Sequence, residues 1–402
     1  MQPLYRAVIH GCLAEEYEQA LNMVYKGRIL RMDNRGFVKY YSRHQLNAYS
    51  QDLTILSVFF PLGWLKLSKT GLSETEQIWL LVDISFCLMS LGRIQEAIAP
   101  RIIGVKFYEK SKSWEFASTC VQILVSLYLP LGQLKQATEA AQEAIKYALF
   151  ADVMNQYAIS SSYLATVLHR KGELNEAHGH FQEAESILRL MSYEYHPSLS
   201  GFWYCNLLLD SSTDNTIYSE VILRAKYSLQ NCTSSVDKAL NNLTLARVHA
   251  AINLSAEYYF AQAVDKIQKV NKIESTPPFY LYRADFYLTQ NQLDPALADL
   301  NSAWEIIERC GMKLYAVDYL LIHGRYSLAT ADFETALSHY EEAKNLIQET
   351  GYHLRDAELD LFAAQLRGQC SEAYRHLVIH NLPNPVSYAI FSNQGQEGKW
   401  SG

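Results

Sequence analysis

The sequence contains few of the residues that interrupt helices, with only 10 prolines and 18 glycines among 402 residues. Long helices are therefore compatible with most of the chain. No apolar run approaches the roughly 20 residues that a membrane-spanning helix needs, so we expect no membrane segment. The first residues, Met1-Gln2-Pro3, lead directly into an amphipathic pattern and not into a secretory signal, which favours a cytoplasmic protein.

An excess of positive charge is also absent, because 35 basic residues stand against 42 acidic ones and the net charge is −7. This balance argues against general affinity for nucleic acid. The seven cysteines are widely separated, odd in number and never in a C-x-x-C arrangement. We therefore expect reduced, mostly buried thiols, which are typical of a cytoplasmic protein.

Signatures of catalysis and of cofactor binding are missing as well. The sequence has no GxxxxGK[ST] phosphate-binding loop, and the GQEGK run at residues 395–399 lacks the required spacing. His178 and His180 are two positions apart, so on a helix they would point to different sides and would not share a metal ion. Neither a GxSxG motif nor a Cys/His signature of known spacing occurs. These absences predict a protein that is not an enzyme and that uses no cofactor or metal.

Residues 157–190 show the unit that the chain repeats. Apolar residues recur at helical spacing, a turn containing Gly172 follows, and a second helical pattern begins after it. The small side chains of Ala165 and Ala177 would allow two helices to approach closely, and Phe181 would fill the space beside them. Gly172 provides the backbone freedom that ends the first helix. The pattern predicts a helical hairpin.

The alanine of the second helix recurs at a constant interval. Ala97, Ala137 and Ala177 are each 40 residues apart, and Ala296 and Ala336 are again 40 apart. A turn with the same three-residue pattern precedes each alanine: a small or polar residue, then any residue, then a large apolar residue. The five turns are Gly92-Arg93-Ile94, Gly132-Gln133-Leu134, Gly172-Glu173-Leu174, Asn291-Gln292-Leu293 and Ala331-Asp332-Phe333. This unit resembles the tetratricopeptide (TPR) repeat, although its period exceeds the usual ~34 residues. We predict an all-α, right-handed superhelix of about seven hairpins, whose concave groove is lined by the first helices.

The strength of the repeat pattern along the sequence predicts the domain boundaries. We predict one superhelical domain at residues 1–380 and a disordered tail at 381–402, where proline and glycine accumulate. Within the domain, residues 29–75 form a longer insertion and residues 191–262 hold degenerate repeats. Residues 354–379 would supply short closing helices that cover the last apolar face.

Local signals predict some elements within the insertion and the degenerate repeats. Residues 33–36 have the composition of a turn, and residues 44–64 that of one helix. Ser73, with Glu76 three positions later, matches a capping box at a helix start. Residues 193–209 are predicted to form a helix with an aromatic face.

Residues 26–43 carry six basic side chains, interleaved with Tyr40 and Tyr41. Such a stretch suits contact with phosphates or with an acidic partner. The turn at 33–36 would separate these charges, so they need not share a face. We favour the simpler interpretation that they belong to a solvated surface.

The concave groove is the remaining candidate for a functional site. Positions of the first helices that face inward in TPR proteins form a polar set with aromatic members, suited to gripping a peptide or a protein element. These candidate partner-binding residues are Trp79, Phe86, Gln122, Ser126, Ser162, Thr166, His169, Arg170, Asp285, Asp318 and Arg325.

Three sequence segments resemble one family within the TPR proteins. They are LYRAVIHGCLAEEYEQAL at residues 4–21, ADFETALSHYEEAKNLIQETGYH at 331–353 and ETGYHLRDAEL at 349–359. They are similar to the C-terminal TPR region of bacterial STAND NTPases, multidomain signalling proteins in which such an array acts as a sensor beside an NTPase and an effector. Neither of those two parts occurs in this sequence, which corresponds either to a fragment or to a stand-alone relative.

The resemblance implies a ligand-sensing or protein-binding module of a bacterial signalling or antiviral-defence protein. Its expected partners are a protein or peptide ligand and the NTPase or effector domains or chains. The alternative is a structural adaptor that scaffolds a cytoplasmic complex, as many TPR proteins do. The sequence does not identify the ligand, the oligomeric state or the effector.

Overall fold

The computed structural model of the protein describes residues 1–60, 63–64, 71–211, 214–270 and 272–369. Within these ranges the chain forms nineteen α-helices and no strand, apart from an isolated antiparallel bridge between Met32 and Val38. The predicted all-α helical-repeat superhelix is confirmed. None of the described helices is long and apolar enough to cross a membrane.

Short connections join most of the helices outside the insertion. In the first half they are α1 (Gln2–Leu13), α2 (Tyr17–Gln19, continued by a π-helical segment, Ala20–Ile29), α3 (Tyr41–His44), α4 (Tyr49–Val58), α5 (Glu74–Ser90), α6 (Ile94–Lys110), α7 (Trp114–Tyr128), α8 (Leu134–Ala151), α9 (Met154–Arg170) and α10 (Leu174–Leu190). In the second half they are α11 (Ser198–Ser211), α12 (Asn215–Asn231), α13 (Ser235–Ala251), α14 (Glu257–Val270), α15 (Pro277–Thr289), α16 (Leu293–Cys310), α17 (Lys313–Ala329), α18 (Phe333–Thr350) and α19 (Asp356–Gln369).

The helices pack in consecutive pairs. The pairs are α1 with the π-helical segment, α5 with α6, α7 with α8, α9 with α10, α11 with α12, α13 with α14, α15 with α16, and α17 with α18. The described residues therefore contain eight hairpins, against about seven expected from the sequence. Helix α19 lies in the range where closing helices were predicted, and it packs on α17 and α18. The predicted tail and the predicted closing helix beyond residue 369 lie outside the described residues.

The repeated alanine occupies the tightest position of each regular hairpin. All five alanines stand fourth in their helices, and each is fully buried, with 0% of its surface exposed. A larger side chain there would have to displace the facing first helix. In the degenerate repeats the same position holds Tyr218 in α12 and Phe260 in α14, so the alanine signal disappears although the hairpins persist.

The insertion differs from its prediction. The helix expected over residues 44–64 is shorter than predicted and forms only as α4, because the chain is not helical at residues 45–48, where Asn47 has a positive φ of 51°. The turn at residues 33–36 is confirmed, since the Asp33 carboxylate accepts hydrogen bonds from the backbone N–H of Arg35 and of Phe37.

One basic residue of the insertion is buried, which corrects the expectation of a wholly solvated surface. The Arg43 side chain is only 1% exposed, and its Nε lies 2.9 Å from Asp52 Oδ2. Its Nη1 donates to Asp83 Oδ1 at 2.9 Å, and its Nη2 donates to the Tyr25 hydroxyl at 2.7 Å. This network joins α3, α4, α5 and the π-helical segment, so it fixes the insertion on the first hairpins.

Other local predictions have mixed outcomes. The capping box is present: Ser73 Oγ accepts from the Glu76 N–H, and the Glu76 carboxylate accepts from the Ser73 N–H. Helix α11 starts at Ser198 and not at residue 193, because Ser192 adopts a positive φ and Pro197 immediately precedes the helix. All six described cysteines are free, and five are buried, while Cys370 lies outside the described residues.

The array curls back on itself, so that turns of the first half pack against the second half. A Cβ added at Gly92 would lie 2.6 Å from Cys310 Sγ, and one added at Gly132 would lie 2.5 Å from Thr350 Cγ2. The Leu314 N–H donates to the Pro130 carbonyl oxygen at 3.2 Å, and Asn47 Nδ2 donates to the Lys269 carbonyl oxygen at 2.7 Å. The groove expected from the sequence is therefore partly enclosed. We call these contacts between the two halves the seam.

Candidate functional site

The inner faces of the superhelix surround a central cavity of about 1040 Å³. It is lined mainly by the first helices of successive hairpins, from α5 to α17, and by the start of α19. Known small-molecule sites occupy roughly 300–1000 Å³, so this volume is sufficient for a metabolite or a short peptide. The aromatic side chains of its wall include Phe86, Tyr163, Phe202, Trp203, Tyr282, Phe286, Tyr315 and Tyr352.

Charged groups meet where α9 faces the segment that precedes α19. Arg170, the last residue of α9, donates from Nη1 to the Tyr352 hydroxyl at 3.2 Å. That hydroxyl lies 3.2 Å from Asp318 Oδ1, to which it donates, and Arg355 Nε donates to the same oxygen at 2.7 Å. Burial raises the pKa of Tyr352, so its hydroxyl remains protonated near neutral pH. This chain of contacts joins the first and second halves of the array.

Two carboxylates share one guanidinium on the same wall. Arg325 Nη2 lies 3.0 Å from Asp285 Oδ1 and 3.0 Å from Glu358 Oε1. Burial raises the pKa of Glu358, although Arg355 Nη1 also lies 3.4 Å from its other oxygen. The position of Glu358 at the start of α19 therefore ties this closing helix to α15 and α17.

A third group lies between α9, α11 and α13. Arg247 donates from Nη2 to Asp210 Oδ1 at 3.0 Å and from Nη1 to the side-chain oxygen of Asn206. Burial alone would raise the pKa of Asp210, but Arg247 and then His169 hold it well below its usual range. His169 Nε2 lies 3.1 Å from Asp210 Oδ2, but neither atom has a partner aligned for a hydrogen bond. Burial lowers the pKa of His169, which favours the neutral ring.

The structure brings most of the predicted groove residues together in the central cavity. Those that line it are Phe86, Ser126, Thr166, Arg170, Asp285, Asp318 and Arg325. They come from α5, α7, α9, α15 and α17, at the inward positions that the repeat register predicted.

Four predicted residues lie elsewhere. Trp79 packs against Tyr25 and lies beneath the Lys26 ammonium, so it faces the π-helical segment of the first hairpin. Gln122 is buried between α7 and α9, where its Nε2 donates to Ser160 Oγ at 2.9 Å. Both remaining residues are buried within the helix layer rather than on the wall: Ser162 donates to the Ala158 carbonyl oxygen, and His169 faces Asp210.

Sequence reasoning missed the residues that close the cavity. Tyr352, Arg355 and Glu358 follow the last hairpin, and the repeat register assigns no inward position there. Arg247 and Tyr282, on α13 and α15, have a cation–π contact with 4.1 Å between guanidinium and ring centroid. The sequence signal for these two residues is weak, because the degenerate repeats lack the recurring alanine from which inward-facing positions are counted.

The histidines of α10 have separate protein partners. His178 Nε2 lies 3.4 Å from the Tyr204 hydroxyl, and His180 Nδ1 lies 3.1 Å from Ser161 Oγ. His180 is half-buried against α9. Within the part of the chain that the structure describes, no group of three or more His, Cys, Asp or Glu residues could hold a metal ion.

Comparison with known proteins adds nothing to the fold class that the structure defines. No model of a known protein family matches the chain, and no curated protein matches it significantly. The arrangement of helices and the cavity define an all-α helical-repeat protein, and its function has to be inferred from the site.

Proposed function

We propose that this chain is a ligand-sensing module that binds its ligand in the central cavity and carries out no reaction itself. The central cavity carries this proposal, because inward-facing residues of successive hairpins line one space with both aromatic and charged groups. Large apolar cavities with a few convergent polar groups are the default binding sites of proteins.

The resemblance to the sensor region of bacterial STAND NTPases supplies the context of this proposal. In that context the chain acts in the cytoplasm, within or beside an NTPase and an effector of a signalling or antiviral-defence protein. A ligand that bridges the walls would stabilise the closed array and so change what the NTPase or effector contacts.

The seam restricts the kind of ligand. A folded domain would not fit into about 1040 Å³ while residues such as Pro130 and Leu314 remain in contact. The ligand in this proposal is therefore a protein segment, a peptide or a small molecule, and not a whole folded partner.

A thermal-shift screen with metabolites and short peptides tests the proposal. Ser126 lies on the cavity wall, so Ser126→Trp should fill part of the space and abolish any ligand-induced rise in melting temperature. Ser186 is exposed on α10, and Ser186→Trp is the matched control that should retain the rise. Ligands whose effect survives Ser126→Trp would place binding outside the cavity.

A specific observation also favours the adaptor function as a second candidate. An apolar patch of Phe116, Leu149, Phe150 and Met154 lies at the start of α7, the end of α8 and the start of α9, with Phe116 61% exposed. The Phe150 ring also packs against Trp114, at 5.2 Å between centroids. Exposed patches of this kind mark protein interfaces. Phe116→Ser with Phe150→Ser should abolish binding of an adaptor partner, whereas Ser126→Trp should not.

A further inference from the structure

We infer that the central cavity recognises an oxyanion on an aromatic ligand, with Arg170 as the group that binds the oxyanion; this inference rests on the proposed function of the cavity. Arg170 is half-buried on the cavity wall. Its side-chain hydrogen bond goes to a neutral group, the Tyr352 hydroxyl, and it forms no ion pair with a carboxylate of the described residues.

The other guanidiniums at this end of the cavity are neutralised by protein carboxylates. Arg247 pairs with Asp210, Arg355 with Asp318, and Arg325 with both Asp285 and Glu358. Arg170 is half-buried and has lost part of its hydration, and the Asp318 carboxylate acts on it only across the Tyr352 hydroxyl. The C-terminal dipole of α9 compensates Arg170 only in part, because such dipoles act weakly on one nearby charge. An anion in the cavity would give Arg170 a direct counter-charge.

A second donor on the same wall has no partner. Asn206 is 1% exposed, and its Nδ2 forms no hydrogen bond within the described residues. Its orientation is fixed, because its side-chain oxygen accepts from Arg247. Buried donors without partners are uncommon, and each carries a desolvation cost that an accepting ligand atom would relieve. The oxygens of a carboxylate or phosphate are acceptors for both Asn206 and a guanidinium.

The positions of these two donors are connected through the protein. Asn206 and Asp210 both contact Arg247, and Asp210 faces His169, which precedes Arg170 in α9. Helices α9 and α11 also pack against each other directly. The donors therefore belong to two helices that pack together in one wall of the cavity.

Aromatic surface adjoins the donors. Trp203 stands three residues before Asn206 on α11 and therefore on the same helix face, and its ring meets Tyr163 at 4.9 Å between centroids. Tyr282 lies against Arg247, and Tyr315 also lines the cavity. A planar ring attached to the oxyanion would pack on this surface, since offset and edge-on contacts of aromatic rings are favourable.

Two fluorescent probes that differ in charge test the inference on the full chain. One is 8-anilino-1-naphthalenesulfonate, an aromatic oxyanion, and the other is N-phenyl-1-naphthylamine, which has the same rings without the sulfonate. We expect saturable binding of both probes, and loss of both in Ser126→Trp. Arg170→Gln should weaken the sulfonate about tenfold or more and leave the neutral probe within about twofold, because it removes one charge-assisted contact.

A second variant keeps the inference testable if Arg170→Gln folds poorly. Asn206→Asp retains the oxygen that accepts from Arg247 but replaces the free donor by an acceptor, so it should also weaken only the sulfonate. Arg93, which is exposed and pairs with Glu96, provides the matched control, and Arg93→Gln should change neither affinity. Melting temperatures of all variants report on folding independently of the probes.

Competition distinguishes the source of the oxyanion. Displacement of the bound sulfonate by benzoate would identify a carboxylate ligand, and displacement by phenyl phosphate a phosphate ester. Benzyl alcohol, which is neutral, should compete poorly with the sulfonate.

Three results would overturn the inference. Equal loss of both probes in Arg170→Gln, no loss of either, or equal competition by benzyl alcohol would show that no oxyanion is recognised, while the cavity remains a binding site. If Ser126→Trp affected neither probe, the proposed function of the cavity would fail together with the inference.

Discussion

Arg43 provides the sharpest test of how the insertion is held. Its guanidinium contacts Asp52, Asp83 and the Tyr25 hydroxyl, and all three partners are buried. Replacement of Arg43 by Met would retain much of the side-chain volume but remove every donor. Asp52 would keep hydrogen bonds from Tyr5 at 2.9 Å and from Ser42 at 2.7 Å. Asp83 would lose the hydrogen bonds that both of its oxygens accept from Arg43.

The expected cost is large because an uncompensated charge would remain buried. Removal of one partner from a buried ion pair typically destabilises a protein by about 3–5 kcal/mol. We expect Arg43→Met to reach this range, since Asp83 is left without the guanidinium and the insertion loses its main polar attachment. The loss would appear in urea unfolding followed by circular dichroism.

Two comparisons make this prediction specific. Arg93→Met removes an exposed pair with Glu96 and should cost about 0–1 kcal/mol. Arg43→Met combined with Asp83→Leu removes the orphaned carboxylate and should recover part of the stability. If Arg43→Met cost no more than Arg93→Met, the buried network would not be what holds the insertion, and the reasoning would be refuted.

Three further predictions concern the repeats, the seam and pH. Ala177→Asp should destabilise the chain by about 3 kcal/mol or more in urea unfolding, because it buries an unpaired charge where α9 and α10 cross. Gly132→Ala should lower the melting temperature, because its φ is +73° and the new Cβ would meet Thr350. Stability should fall on acidification from pH 7 to 5, measured by urea unfolding: burial lowers the pKa of His339 to about 4 and lowers that of His323, so the unfolded chain binds more protons in this window. His339→Gln should reduce the slope.

Each of these predictions has a matched control. Ser186→Asp places the same charge on the exposed side of α10 and should be nearly silent. Gly311 has a φ of +65° but no neighbour within 4 Å of an added Cβ, so Gly311→Ala measures the backbone strain alone. An equal loss for Gly132→Ala and Gly311→Ala would mean that the seam contact contributes nothing. His10 is exposed, and His10→Gln should leave the pH slope unchanged.

The hairpins were predictable because their signal is local. Ala177 and Phe181 lie within one helix, and Gly172 ends the helix before it, so the pattern needs no knowledge of distant contacts. The same counting predicted that Phe86, Ser126 and Thr166 face inward, and all three line the cavity.

The seam and the closing part of the site were not predictable in this way. Gly132 and Thr350 are far apart in sequence, and nothing local to either indicates that they meet. Gln122 and Ser162 were misplaced for a different reason. Both are polar residues on first helices that turn into the helix layer, where Gln122 donates to Ser160 on α9 and Ser162 donates to the Ala158 carbonyl oxygen of its own helix.

The seam has a consequence for how the chain folds during synthesis. An open solenoid can fold repeat by repeat as it leaves the ribosome, because each hairpin needs only its neighbours. Here the turns at Gly92 and Gly132 have partners that are translated much later, at Cys310 and Thr350. These surfaces of the N-terminal hairpins therefore stay exposed until the second half of the chain has been synthesised. Contacts of such long sequence separation form late and slow the final step of folding. Formation of the seam contacts should be the step that brings the whole chain to its native state.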